Sequence, residues 1–188
     1  MMTRNSSVEE IITQTWKIDE IHSTIKFSAK HMAIAQVEGQ FDKFNFNLVN
    51  DGDDLSSSQV ELTIEADSVD TGNNDRDDHL RSEDFFDVEK FPKIKFNSTS
   101  VIKISDEKYK IEGDLTIKDN TKPIELDVTY GGQIKDPWGN TRAGFNVKGV
   151  INRFEFGLKW NKLIETGGAV VGKNVNLNCD IEVVKEED

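Results

Sequence analysis

The chain has 188 residues, 36% of them hydrophobic, with 35 acidic against 23 basic side chains and a formal net charge of −12. That length suits one domain, and the acidic balance argues against nucleic acid as a partner and against the molecule's average face meeting an anionic membrane. A lone cysteine, Cys179, excludes an intramolecular disulfide framework, and no run approaches the roughly 18 apolar residues that stable membrane insertion requires.

Met1 to Glu10 lacks the apolar stretch of an export signal, so a cytoplasmic location is expected. Ser7 and Glu10 match a capping box and Val8, Ile11 and Ile12 share a stripe, which predicts a short helix or loose arm over residues 1–14. After that the dominant period is two. Ile25, Phe27 and Ala29 alternate with polar neighbours, as do Phe44, Phe46 and Leu48, then Val60, Leu62, Ile64 and Ala66. Ile94, Phe96 and Ser98 follow, then Tyr109 through Ile117, Ile124 through Tyr130, Ala143 through Ile151 and Val175 through Val183. These are eight half-buried strands over residues 15–184, ending in a charged tail at 185–188.

Such alternation indicates an antiparallel sheet, because parallel strands buried on both faces read as continuous apolar runs. Turn-rich connectors at 51–54, 119–123 and 136–140 agree. Closing eight strands into a barrel removes exposed edges, although two stacked sheets would leave much the same pattern. The predicted fold is therefore an eight-stranded antiparallel β-barrel with a short helix near one end.

That helix is expected over residues 73–84, where Asp75, Asp77 and Asp78 suit its N-terminus and Asp77 precedes Arg81 by four. The same segment is the densest polar cluster. As a calcium loop it fails: with Gly72 sixth, the third position is Val69 and the twelfth Asp78. His22, His31, His79 and Cys179 do not form a zinc motif, and no nucleophile elbow or phosphate-binding glycine loop is present, so no metal or cofactor is expected. The favoured reading of the Asp75–His79 cluster is a structural ion-pair and capping network. The alternative is a hydrolase or isomerase built on it.

The apolar inner face is the remaining candidate. Ala29, Gly39, Ala66, Ser98, Gly113, Ala143 and Gly149 interrupt it beside large Phe residues, which means either interlocking packing or space left for a ligand. Eleven Phe against two Tyr suits a dry interior of either kind.

Several motifs then occur in order: Trp16-Lys17-Ile18-Asp19, His22 to Phe27, Gly39-Gln40-Phe41, Asp70-Thr71-Gly72, Arg76 to Ser82, Asp84 to Val88, Phe91 to Phe96, Gly113 to Lys118 and Arg153 to Gly157. Over about residues 16 to 184 the chain resembles the YceI-like polyisoprenoid-binding family. The resemblance implies a lipocalin-like barrel enclosing a long apolar chain: a polyisoprenoid, an isoprenoid quinone or a fatty-acid-like molecule. It implies no catalytic residues. Many members are exported, and this sequence departs from them in lacking a signal. The residues expected to line the tail, from their phase, are Phe27, Phe41, Leu62, Phe96, Leu115, Leu126 and Phe145. Those expected at the mouth or head group are His31, Arg76, Phe85, Phe86, Arg153 and Trp160. The expected partner is thus a long-chain apolar small molecule, with pairing as a homodimer left open. A barrel filled solid by its own side chains, serving protein interaction, is the other alternative.

Overall fold

The computed structural model describes residues 12–163, 165 and 169–187. β1 (Thr13–Ile18) and β2 (Thr24–His31) are two halves of one long stave, and β3 (Ala35–Phe41) and β4 (Phe44–Asp51) return beside them. The stave bends at 19–23 because the Asp19 carboxylate accepts from the backbone N–H groups of Ile21 (3.1 Å) and His22 (3.2 Å), drawing the chain out of the ladder. β5 (Asp54–Glu65) and β6 (Val69–Asp70) form a third broken stave, interrupted by a 3-10 turn at Ala66–Ser68. β7 (Lys93–Lys103), β8 (Lys108–Ile117), β9 (Asn120–Lys135), β10 (Thr141–Asn152) and β11 (Val171–Lys185) follow as a meander, each antiparallel to the last.

β11 closes the ring. One edge pairs with β10, and the other pairs with β2 (Cys179 opposite Ile25) and then with β1 (Lys185 opposite Trp16). The eleven strand segments therefore make eight staves of a closed antiparallel barrel, and each stave contains one of the eight strands expected from alternation. Closure leaves no edge to template aggregation, which two open layers would.

One end, the upper rim, carries the 32–34 tip, the 71–92 segment with the helix α1 (Asn74–Arg81), the turn at 118–119 and the described residues between β10 and β11. The other end, the base, carries the turns at 52–53, 104–107 and 136–140. No helix among the described residues is long and apolar enough to cross a membrane.

Several local expectations change. β1 already begins at Thr13, which pairs with Asp51, so the arm expected over 1–14 is shorter; residues 1–11, including the Ser7–Glu10 box, lie outside those described. Lys185 belongs to β11 rather than to a charged tail, and the Glu186 N–H donates to the Thr15 carbonyl (2.9 Å). The 119–123 turn shrinks to Lys118-Asp119, with Pro123 inside β9 opposite Asp114. The helix starts where expected, capped by the Asn73 side chain accepting from the Arg76 N–H (3.0 Å), but stops at Arg81. Ser82 Oγ donates to the His79 carbonyl (2.7 Å) and the chain then folds Phe85 and Phe86 into the barrel. Arg81 pairs with Asp78, not Asp77, because Asp77 is buried.

Near the base, Arg142 ties three elements together. It donates to Asp19 (2.6 Å), Asp136 (2.6 Å) and Glu182 (2.7 Å). Burial alone would raise the Asp19 pKa, but hydrogen bonds from Arg142 and His22 outweigh it and hold the carboxyl at about 2. The same guanidinium holds Asp136 well below the usual carboxylate range. Both groups are thus depressed relative to an unfolded aspartate near ~3.9, so the network stabilises fully above about pH 4 and is lost as pH falls toward about 2. Arg142→Met is expected to flatten the decline in urea midpoint across that interval. Parallel wild-type and variant curves would count against the network.

Candidate functional site: an apolar lumen

Alternation sends one face of every stave inward, and the inner faces do not meet. Between them lies a cavity of ≈ 240 Å³. A single buried water needs only about 10–15 Å³, so this is a chamber rather than a packing defect, and the solid-filled barrel does not describe this fold. Trp16, Ala143 and Val183 pack in the core outside the cavity, toward the base. Trp16 Nε1–H donates to Asn50 Oδ1 (2.8 Å), which satisfies the buried indole there.

Phe27, Phe41, Leu62, Phe96, Leu115, Leu126 and Phe145 all line the lumen. The structure also resolves what the small residues do. A Cβ on Gly39 would meet Phe27 Cζ at 2.5 Å, one on Gly113 would meet Phe96 Cζ at 2.4 Å, and one on Gly149 would meet Leu126 Cδ2 at 2.4 Å. Each glycine is a seat on which a neighbouring large side chain lies flat. The two readings left open by the pattern are therefore one arrangement: interlocking at the wall keeps bulky side chains out of the centre.

The upper rim is covered by residues from two of its segments. Phe85 and Phe86 line the cavity, with Phe86 edge-on to Phe41 at 5.7 Å between ring centres. Leu80, the sole apolar residue of α1, and Leu158 also line it. Neither was among the expected residues, although a single leucine in an otherwise polar helix is itself a signal of the side that faces the barrel. Ala29 and Val171 line it nearby.

The other expected mouth residues behave differently. Trp160 does not line the cavity; it packs behind Phe85 (5.4 Å) and edge-on to His79 (4.6 Å), bracing the rim. His31 ends β2 between Ala35 and Val171, and Arg76 is exposed, donating to Thr71 Oγ1 (2.7 Å) and the Thr71 carbonyl (2.9 Å). Neither lines the lumen: the Arg76 guanidinium is held at the surface by Thr71, and His31 stands at the end of its strand. Arg153 does line it, 2% exposed, but its guanidinium is committed to backbone. It donates to the carbonyls of Gly172 (2.8 Å), Leu158, Trp160 (2.9 Å) and Val171 (3.1 Å), and burial lowers its pKa.

The Asp75–His79 cluster is drawn into structural contacts. Asp77, 4% exposed, accepts from the Thr71 N–H (2.9 Å) and Thr71 Oγ1 (2.6 Å), fastening α1 to the end of β6. His79 Nε2 lies 2.9 Å from Asp84 Oδ2, and Arg81 donates to the carbonyls of Asp67 (2.8 Å) and Val69 (2.9 Å). Cys179 faces the lumen, where burial pushes its thiol up to about 11.

Residues 16–183 match the sequence model of the YceI-like domain. A UPF0312 protein of Staphylococcus epidermidis is 40% identical over 168 residues, covering 89% of this chain and 95% of the relative. The crystal structure of a Campylobacter jejuni YceI protein, 33% identical, superposes with a TM-score of 0.74 over 84% of this chain and 90% of its own. A polyisoprenoid binding domain from Saccharophagus degradans shares the fold, with a TM-score of 0.66 at 11% identity over 91% of this chain and 98% of that one.

Proposed function

The chain belongs to the YceI-like family, and from that premise we propose that it binds one long apolar molecule in its lumen and carries or stores it. The observation that carries this reading is an apolar-walled chamber that its own side chains leave open. A polyisoprenoid, an isoprenoid quinone or a fatty-acyl chain fits that chemistry, and the fold-mate from Saccharophagus degradans is described as polyisoprenoid binding. Each methylene transferred from water contributes roughly 0.8 kcal/mol, so affinity grows along the tail without any hydrogen bond. Discrimination between tails is then weak, since one methylene more or less changes little. Phe27, Phe41, Leu62, Phe96, Leu115, Leu126 and Phe145 hold the tail in this reading, with Phe85 and Phe86 against its end.

Binding rather than catalysis accounts best for the polar groups. Asp77 and Arg153 spend their hydrogen bonds on backbone and a neighbouring hydroxyl, and the lumen that Arg153 borders is greasy.

Native mass spectrometry of the purified chain, before and after incubation with prenyl alcohols and fatty acids, is the direct test. One retained chain per protein is expected. Cys179 supplies an internal report: with a pKa of about 11 its thiolate is scarce at neutral pH, so alkylation is slow, and loading should slow it further. No retained lipid, no uptake of any added chain and unchanged Cys179 reactivity would together defeat the reading.

A further inference from the structure

The upper rim exposes apolar side chains that the barrel does not need. Ile34 is 89% and Leu163 87% exposed, with Met32 and Phe154 partly so. Backbone hydrogen bonds bring them together: the Met32 N–H donates to the Val170 carbonyl (2.9 Å), the Val170 N–H to the Lys162 carbonyl (3.0 Å), and Leu163 bridges to Ala169. Phe154 joins them through Arg153, which lies over its ring and is bonded to the carbonyls of Val171 and Gly172. Met32 and Ala33 hold the two left-handed positions (φ 50° and 61°) of a tight turn that usually takes Asn-Gly, so turn preference does not explain an apolar tip.

Charge separates this patch from the rest of the surface. Lys30, Lys159, Lys162 and Lys173 surround it against Glu155 and Glu165, in a chain whose net charge is −12. Among the described residues none of these four lysines is ion-paired; the lysine salt bridges lie elsewhere. Lys162 sits 6.0 Å from the Trp160 ring, at the boundary with α1, whose Asp75 and Asp78 make the adjoining arc of the rim acidic. The base also exposes apolar residues, Ile104, Ile134 and Trp138, but there Lys103, Lys108 and Lys135 stand among Asp53, Asp54, Asp106, Glu107 and Asp136, and Lys103 is paired with Asp106. Among the described residues, lysines outnumber acids at the upper-rim patch, which lies beside the lumen-lining residues Ala29, Val171 and Arg153, whereas acids outnumber lysines at the base.

We propose that this arc of the rim docks the protein on an anionic phospholipid bilayer, with Met32, Ile34, Phe154 and Leu163 entering the interface and the four lysines meeting the head groups. Shallow apolar insertion supported by a few cations gives reversible attachment rather than stable anchoring. Resting on the apolar-ligand reading, this deepens it: the lumen is brought against the phase in which a long apolar chain dissolves, so the chain need not cross water.

The test is co-sedimentation of the full chain with vesicles of phosphatidylcholine plus phosphatidylglycerol and with phosphatidylcholine vesicles alone. Binding to the anionic vesicles is expected, falling with added salt. Lys30→Glu with Lys162→Glu should reduce it by about tenfold or more, as should Ile34→Ser with Leu163→Ser, whereas Trp138→Ser at the base should not. The rim variants are fully exposed changes, and retained uptake of a prenyl chain presented in cyclodextrin verifies that each is folded with a working lumen. Uptake from cyclodextrin without vesicle binding overturns the docking proposal alone, and absence of uptake strikes the ligand reading instead. Equal binding to neutral vesicles, or insensitivity to the rim variants, also overturns it. So does a dimer in sedimentation velocity that Ile34→Ser dissolves, since a second copy would then cover the patch.

Discussion

Replacing Arg153 with Met is expected to cost roughly 3 kcal/mol of stability, a fall of about 6–12 °C in melting temperature for a chain of this size. The guanidinium reaches the carbonyls of Leu158, Trp160, Val171 and Gly172 from one side chain, and so holds the 158–172 connection against the end of β10. Removing a donor from a buried acceptor costs about 1–3 kcal/mol when water cannot replace it. Val171 keeps a partner, because Asn161 Nδ2 donates to the same oxygen (2.8 Å), so three carbonyls rather than four lose their donor. Arg153→Lys should recover little, since an ammonium presents three donors from a point and cannot span the fork that these carbonyls define. Thermal melts of wild type, Arg153→Met and Arg153→Lys decide it. Near-equal melting temperatures alongside a large loss of affinity for a carboxylate-bearing chain would reassign the guanidinium from the loop to the ligand.

Val147→Trp should abolish most uptake while leaving the barrel folded. Val147 lines the lumen on β10, opposite Val128 and Cys179, with open space before it. An indole there would displace about four methylenes of a bound chain, roughly 3 kcal/mol, or on the order of 100-fold in affinity. Overpacking normally costs about 1–3 kcal/mol, but here the added volume enters a void. Val150→Trp is the paired control: it lies three residues along the same strand, on the outward face, and is 60% exposed. Titration of a fluorescent fatty or prenyl chain reads both variants. Equal affinities for the two would remove the lumen from the account of binding.

The wall of the site was legible because alternation fixes phase. Once Phe27 is inward, Ile25 and Ala29 must follow, and the same holds from Phe96 to Ile94 and from Phe145 to Val147. The rim was less legible because its residues lie on irregular chain, where no period tells inside from outside. Arg76 and Arg153 look alike as charged residues in loops, yet one lies in solvent and the other is buried under four carbonyls. Phe85 and Trp160 look alike as rim aromatics, yet one faces the cavity and the other its back.

Composition and the two-residue rhythm, read alone, determined an acidic, disulfide-free, antiparallel molecule of eight staves with one greasy face each, since a pleated strand must send neighbours to opposite sides. Whether those faces would interlock into a solid core or stand back from one another was a question of distance across the ring, and distance is set only when β11 joins β10 to the first stave. The glycine seats at 39, 113 and 149, the commitment of Arg153 to backbone and the meeting of the 32–34 tip with Val170 and Lys162 likewise arise from closure, which brings residues far apart in the chain within a few ångströms.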